Sequence, residues 1–135
     1  MSDLYLTSTF TKEWNVNFNP LIGEALTQKG LTCHLPKKIE AEEKAHDVFL
    51  SDLNGINSTK CILAIAINES PNWGAEIAYA FSLKKPIIAL TDTNHQIPLI
   101  CNEMITEVFR VSNLEEIDQY IDDLIKIIKK YQRVE

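Results

Sequence analysis

Short apolar segments of strand length alternate along the chain with segments whose apolar residues recur at helical spacing. Residues 61–67 are apolar throughout, without polar alternation, which is typical of a central strand covered on both faces. Pro86 is compatible with a strand because proline is tolerated at its first position. The pattern predicts five strands, over residues 4–6, 31–35, 61–67, 86–90 and 108–111.

Helical spacing predicts four helices between and after these strands. The first contains Phe18, Leu21, Ile22, Ala25 and Leu26 and ends before Gly30. The second covers about residues 42–56, the third follows a loop over residues 68–74, and the last begins near Leu114 behind an Asn113–Glu116 capping box. The residues expected to face inward on the middle two helices are Val48, Phe49, Leu53, Ile56, Ile77, Ala80, Phe81 and Leu83.

Strands that alternate with helices predict one α/β domain over residues 1–135. We expect a flavodoxin-like, Rossmann-like doubly wound sheet of five parallel strands in the order 2-1-3-4-5, with helices on both faces. In such sheets ligands bind beyond the carboxyl ends of the strands, near the switch point between the first and third. The relevant loops begin at Thr7, Asn68 and Thr91, while the polar stretch over residues 37–44 is expected to be a mobile loop.

Composition and charge exclude several classes of protein. The 135 residues include 13 basic and 19 acidic ones, for a net charge of −6, which makes nucleic-acid duplexes poor partners. A small anionic ligand at a helix N-terminus remains compatible with this charge. Residues 1–5 lack the basic region of a signal peptide, and no apolar run reaches membrane-spanning length. We therefore expect a cytoplasmic protein that does not bind membranes.

Cysteine and histidine usage argues against metal and disulfide chemistry. The three cysteines, Cys33, Cys61 and Cys101, form no CxxC pair and are expected to be reduced and packed as small hydrophobic residues. The histidines are scattered without the spacing of metal ligands. No metal or cofactor is predicted.

Three residues near the predicted switch point are candidates for chemistry. Glu76 is expected in the first turn of the third helix, where the helix dipole would favour its ionised form; a helix-start glutamate without a function fits the same position. Asp52 lies late in the second helix, either solvated or facing the crevice. Tyr5 alternates with Leu4 and Leu6, so it faces the opposite side of the sheet, as core packing or as a hydrogen-bond partner of a crevice carboxylate.

The loop after the first strand is rich in hydroxyl groups. Thr7, Ser8 and Thr9 form a candidate cradle for phosphate or ribose that weakly resembles the phosphate loop of flavodoxins. This loop keeps open a second class of function, a non-catalytic nucleotide-binding or flavin-binding module.

In their order along the chain these segments resemble the nucleoside 2-deoxyribosyltransferase family, over roughly residues 4–111. The resemblance is carried by Tyr5 in DLYLTS, Asp52 in SDLNGI, Gly74 and Glu76 in GAEIAYA, and Asn102 in NEM. The glutamate motif, together with the strand KPIIAL that follows it, is the most specific of these matches.

The resemblance implies a role for each matched residue. Glu76 would attack C1′ of a 2′-deoxyribosyl group as nucleophile, Asp52 would bind the sugar and assist proton movement at the base, and Tyr5 would hold Glu76. Asn102 would reach the 5′-hydroxyl in a neighbouring subunit's site. An oxocarbenium-like transition state that closes to a covalent intermediate, with retention at C1′, agrees with a positioned carboxylate.

The chain departs from the transferase pattern at Ser70, where an aspartate is common. A serine there is similar to the related deoxynucleoside 5′-monophosphate N-glycosidases, yet the arginine of their first loop is missing and Asn102 stands where they tend to have serine. Hydrolysis of a monophosphate therefore stands as an alternative. The expected partners are a deoxynucleoside or deoxynucleotide and a free nucleobase.

Self-association is expected as well. The apolar run over residues 98–101 lies in a predicted loop just before Asn102, and Tyr79 and Phe81 cannot both face the sheet. Exposed apolar patches of this kind mark interfaces, and a dimer-based homo-oligomer is the prediction. The alternative is that these residues fold back on their own core.

Overall fold

The computed structural model describes residues 2–36 and 45–132, so the predicted loop over residues 37–44 and the predicted start of the second helix lie outside the described residues. Five parallel strands form one sheet in the order β2-β1-β3-β4-β5, as predicted. The strands are β1 (Leu4–Thr7), β2 (Cys33–His34), β3 (Cys61–Ile65), β4 (Ile87–Asp92) and β5 (Glu107–Val111). The helices are α1 (Glu13–Gln28), α2 (Ala45–Ser58), α3 (Pro71–Ser82), α4 (Leu99–Met104) and α5 (Ile121–Gln132), with a 3-10 turn at Ile117–Gln119.

Two apolar layers cover the sheet. Leu4 and Leu6 pack in the layer that contains the buried side chains of α1 and α5, whereas Tyr5 packs in the layer that contains those of α3 and Ile56 of α2. This alternation confirms the predicted orientation of Tyr5 and the placement of helices on both faces. Among the described residues no helix is both long enough and apolar enough to cross a membrane.

Helix α3 begins earlier than the predicted loop allows. Ser70 caps it by accepting the Trp73 N–H at 3.2 Å, and Pro71 takes the first helical position. The prediction that Gly74 belongs to the loop is therefore wrong, and so is the placement of Glu76 in the first turn. Glu76 is the sixth residue of the helix and lies in its second turn.

Three apolar side chains predicted to face inward are exposed instead: Phe49 (54%), Phe81 (51%) and Leu83 (38%). On α3 the buried line is Trp73, Ile77 and Ala80. Phe81 directly follows Ala80 and therefore points about 100° away from it around the helix. The same offset separates Phe49 from the buried Val48 on α2.

The segments around β5 also differ from their predicted form. Residues 99–104 form the short helix α4 in a region predicted to be loop, and its Leu99 and Ile100 are 75% and 73% exposed. Asn113 accepts the Glu115 N–H and donates to the Glu116 carboxylate, but this turn leads into the 3-10 turn and not into a continuous helix. The last helix begins at Ile121 instead of Leu114.

Candidate active site

Glu76 lies between two hydroxyl groups of the first strand. Tyr5 Oη donates to Glu76 Oε2 at 3.0 Å, and Thr7 Oγ1 donates to Glu76 Oε1 at 2.7 Å. Tyr5 and Thr7 are two residues apart on β1, so both face the side of the sheet on which α3 packs. The carboxylate is thereby oriented at the carboxyl end of β1, where the topology places a ligand site.

Burial raises the pKa of Glu76 above the ordinary value of 4.5. The hydrogen bond from Thr7 lowers this pKa, and the negative charge of Asp52 raises it further. The hydrogen bond from Tyr5 and the charge of His34 lower the pKa by smaller amounts. The helix dipole, which was expected to favour the ionised form, does not govern this shift. The carboxylate lies beyond the first turn, and its partial loss of water dominates.

Asp52 and His34 complete a cluster around Tyr5. His34 Nε2 lies 3.8 Å from Asp52 Oδ1, and the His34 ring stacks on Tyr5 with centroids 5.0 Å apart and planes at 14°. Burial, then the charges of Glu76 and Asp52, raise the pKa of Tyr5, so its phenol stays protonated and donates. His34 was not predicted as a site residue, because its place beside Tyr5 follows from the register of β1 and β2, which no local sequence pattern encodes.

Gly55 explains how α2 comes close enough for Asp52 to join this cluster. A Cβ atom at residue 55 would lie 2.9 Å from Tyr5 Cδ2 and Cε2 and 3.4 Å from His34 Cδ2. The absence of a side chain lets the α2 backbone pack directly on the two rings. Asp52 is three residues earlier on the same helix and so lies on the same face.

The hydroxyl-rich loop does not present all of its hydroxyl groups to a ligand. Ser8 and Thr9 are buried: Ser8 Oγ accepts from the side chain of Asn15, and Thr9 Oγ1 donates to the Asn68 carbonyl at 2.7 Å. Asn15 also accepts from Asn68 Nδ2 at 3.0 Å. This network joins the loops after β1 and β3. Sequence reasoning missed Asn15, although a polar residue on the buried face of a helix was a usable signal.

The remaining predicted site residues lie along α3 and α4. Ser70 is the cap of α3, and Gly74 faces α4, where an added Cβ would lie 3.8 Å from Cys101 Sγ. That spacing is ordinary van der Waals contact, so packing alone does not require glycine there. Asn102 lies exposed on α4.

A cavity of about 560 Å³ lies between the N-terminal half of α1 and the segments that follow β1 and β2. Its lining residues are Phe10, Thr11, Glu13, Val16, Asn19, Pro20, Leu35 and Pro36, so none of the residues in the cluster around Glu76 lines it. In the described part of the chain no group of three His, Cys, Asp or Glu residues is arranged to hold a metal ion.

Comparison with known families decides what this constellation belongs to. Residues 4–124 match the model of the family described as nucleoside 2-deoxyribosyltransferase, which is most of the chain. The chain belongs to the nucleoside 2-deoxyribosyltransferase family. The family match confirms the resemblance found in the sequence, and Tyr5, Asp52, Gly74, Glu76 and Asn102 all fall within the matched residues.

Solved structures show the same fold. A conserved protein from Enterococcus faecalis V583 is 16% identical, covers 96% of this chain and 98% of its own, and has a TM-score of 0.76. A 2-deoxyribosyltransferase from Bacillus psychrosaccharolyticus is 20% identical, with 87% and 90% covered and a TM-score of 0.71. A CMP N-glycosidase from Clostridium botulinum is 19% identical, with 90% and 98% covered and a TM-score of 0.68. None of the curated proteins compared matches the chain.

Proposed function

We propose that this protein cleaves the N-glycosidic bond of a 2′-deoxynucleoside and transfers the deoxyribosyl group to another nucleobase, or to water when no acceptor base is present. The observation that carries the proposal is the carboxylate of Glu76 held by Tyr5 and Thr7, with Asp52 in the same cluster. Family membership and the position at the carboxyl end of β1 support it.

The proposed reaction has two displacement steps. An oxygen of ionised Glu76 attacks C1′, the C1′–N bond breaks, and its electron pair leaves with the base, which takes a proton with the assistance of Asp52. An ester between Glu76 and C1′ results. A nitrogen of the second base then attacks C1′ and gives up its proton with the assistance of Asp52, while the ester bond breaks and Glu76 leaves as carboxylate. Two inversions give net retention, and no cofactor takes part.

Each neighbour of Glu76 has a physical role in this scheme. The hydroxyl groups of Tyr5 and Thr7 orient the carboxylate and stabilise its charge. His34 orients Asp52 and backs the Tyr5 ring. Ser8 and Thr9 shape the loop after β1, while Ser70 and Gly74 lie on the α3 side.

A second copy of the chain is part of the proposal. Leu99 and Ile100 leave an apolar surface on α4, two residues from Asn102. Burying that surface against a neighbour would bring Asn102 to the neighbour's site, where its carboxamide would bind the sugar's 5′-hydroxyl.

An exchange assay tests the function. The protein is incubated with deoxyinosine or thymidine and free adenine or cytosine, and the exchanged nucleoside is sought by chromatography. Glu76→Ala should lower the rate by about 10³-fold or more, because nucleophile and charge stabilisation disappear together. A 2-fluoro sugar analogue should add one glycosyl mass to the wild type and none to the variant. Substantial activity in Glu76→Ala contradicts the proposed nucleophile.

Hydrolysis of a deoxynucleoside 5′-monophosphate is the second candidate. It is favoured by Ser70, whose hydroxyl lies at the N-terminus of α3, where a helix stabilises anions. Release of base from monophosphates, but not from nucleosides, would select it. A yellow protein, or one that binds a mononucleotide without releasing base, would instead indicate a non-catalytic binding module.

A further inference from the structure

A side-chain pair outside the cluster around Glu76 ties together the loops after β3 and β4. His95 Nε2 and Glu69 Oε2 are 2.7 Å apart, and their side chains are 26% and 10% exposed. The two residues are 26 positions apart in the sequence. Neither is among the residues singled out by the sequence analysis.

The loop after β4 is also held from its other side. Asp92 Oδ1 accepts the backbone N–H groups of Asn94 and His95 at 2.9 and 2.7 Å. Arg110 of β5 donates through Nη1 to the carbonyls of Asp92 and His95 at 3.0 and 2.7 Å. These bonds fix the loop to β4 and β5 without Glu69. The Glu69–His95 contact therefore has a separate role: it connects the loop after β4 to the loop that precedes α3.

Each member of the pair is close in sequence to a proposed substrate contact. Glu69 immediately precedes Ser70, the cap of the helix that carries Glu76. His95 lies three residues before Pro98, whose carbonyl accepts the Asn102 N–H at 2.9 Å at the start of α4. Helix α4 in turn packs beside α3 where Cys101 faces Gly74. The pair thus connects the two helices that carry these residues.

We propose that Glu69 and His95 are a positioning pair that fixes α4 on α3 within its own chain, and so holds Asn102 in the position from which it reaches the neighbouring subunit's site. The inference rests on the proposed function. Neither residue touches the reacting atoms. Loss of the pair is expected to loosen a substrate contact without removing the nucleophile, and so to weaken binding more than chemistry.

The test compares His95→Ala, His95→Gln and Glu69→Gln with the wild type in the exchange assay. His95→Ala should raise KM about 10-fold and change kcat by less than about 3-fold. His95→Gln should return KM most of the way, because a glutamine N–H can still donate to Glu69. Amide hydrogen exchange in α4 should be faster in His95→Ala than in the other proteins. His46→Ala, at an exposed histidine of α2, is the matched control and should behave as wild type.

A double-mutant cycle links the pair to Asn102. If the pair acts through Asn102, His95→Ala should have little further effect on KM in an Asn102→Ala protein. Three results would overturn the inference and leave the proposed function intact. They are an unchanged KM in His95→Ala, an equal rise in KM in His95→Ala and His95→Gln, and fully additive effects of His95→Ala and Asn102→Ala on KM. A wild type with no base release from any nucleoside or monophosphate would instead overturn the proposed function, and this inference would fall with it.

Discussion

Thr7 and Glu76 are 69 positions apart in the sequence, yet Thr7 Oγ1 donates a 2.7 Å hydrogen bond to Glu76 Oε1. The bond joins the last residue of β1 to the second turn of α3 across the edge of the sheet. Tyr5 donates to the other carboxylate oxygen, so Glu76 is a partly buried acid with two hydrogen-bond donors. Burial raises its pKa, and the two hydrogen bonds lower it. The first two predictions depend on that balance.

Replacement of Glu76 by glutamine should change the pH dependence of thermal stability in favour of the variant as pH rises. The folded-state pKa of Glu76 lies above the ordinary value of 4.5, so the neutral acid stabilises the fold. That contribution is present below the ordinary value and is lost as pH rises through the raised one. The glutamine variant does not titrate there, so its Tm relative to wild type should rise between pH 4 and pH 8, after a constant cost for the one acceptor oxygen that glutamine lacks.

Thermal unfolding over a series of pH values measures this difference. Glu24→Gln, at an exposed position of α1, is the control and should show no such pH-dependent gain. A Tm difference between Glu76→Gln and wild type that does not move in favour of the variant between pH 4 and pH 8 would contradict the assigned direction of the pKa shift.

Removal of the Thr7 hydroxyl should move the acidic limb of the activity profile to higher pH. In the proposed reaction ionised Glu76 is the nucleophile, so kcat/KM should fall as pH decreases through its raised pKa. The Thr7 hydrogen bond lowers that pKa more than the Tyr5 hydrogen bond does. Thr7→Val should therefore shift the limb upward, and Tyr5→Phe should shift it less.

The measurement is kcat/KM for base release between about pH 4 and 9, with the limb fitted as a titration. Thr27→Val, which removes a hydroxyl bonded to a carbonyl within α1, should leave the limb in place. An unmoved limb in Thr7→Val would show that Glu76 does not govern it.

Alanine at residue 55 should damage both stability and activity. Its Cβ would lie 2.9 Å from two atoms of the buried Tyr5 ring, so the ring or α2 must move. We expect a loss of about 1–3 kcal/mol in the free energy of unfolding and a lower rate, because Tyr5 and Asp52 shift together. Urea unfolding and the exchange assay measure the two effects.

Gly74→Ala is the matched control for stability. Its Cβ would meet Cys101 Sγ at 3.8 Å, and alanine in a helix is favoured over glycine by roughly 0.5–1 kcal/mol. This variant should be as stable as wild type or more so. A Gly55→Ala protein with unchanged stability would mean that the Tyr5 contact is not tight in solution.

Two inactive variants should restore activity when mixed, if Asn102 serves a neighbouring subunit. A Glu76→Ala chain supplies Asn102, an Asn102→Ala chain supplies Glu76, and a mixed dimer contains one complete site.

Light scattering should show a particle larger than the 15.4 kDa chain. Leu99→Asp with Ile100→Asp should reduce both particle size and activity, because those side chains are 75% and 73% exposed in a single chain. A 15.4 kDa particle that turns over substrate would refute the shared site.

The sheet was predictable because its evidence is local. Apolar segments of strand length, separated by helical patterns, indicate a parallel sheet, and the apolar run at 61–67 marks the covered central strand. The predictions that were wrong concern segments in which the apolar spacing is ambiguous or the helix is short. Phe49 and Phe81 are next to buried residues, and α4 has only six residues with its apolar side chains turned outward. No pattern of inward-facing positions marks such a helix.

The sequence by itself determined the α/β topology, the edge of the sheet at which a ligand is predicted to bind, and Glu76, Asp52 and Tyr5 as candidates for chemistry. Only the tertiary structure decided that these residues meet, that Thr7 holds the carboxylate, and that His34 stacks on Tyr5. The physical reason is that strand register places His34 beside Tyr5, and the missing side chain of Gly55 lets α2 approach both rings. The pKa of Glu76 likewise follows from burial among groups distant in sequence, which no local pattern encodes.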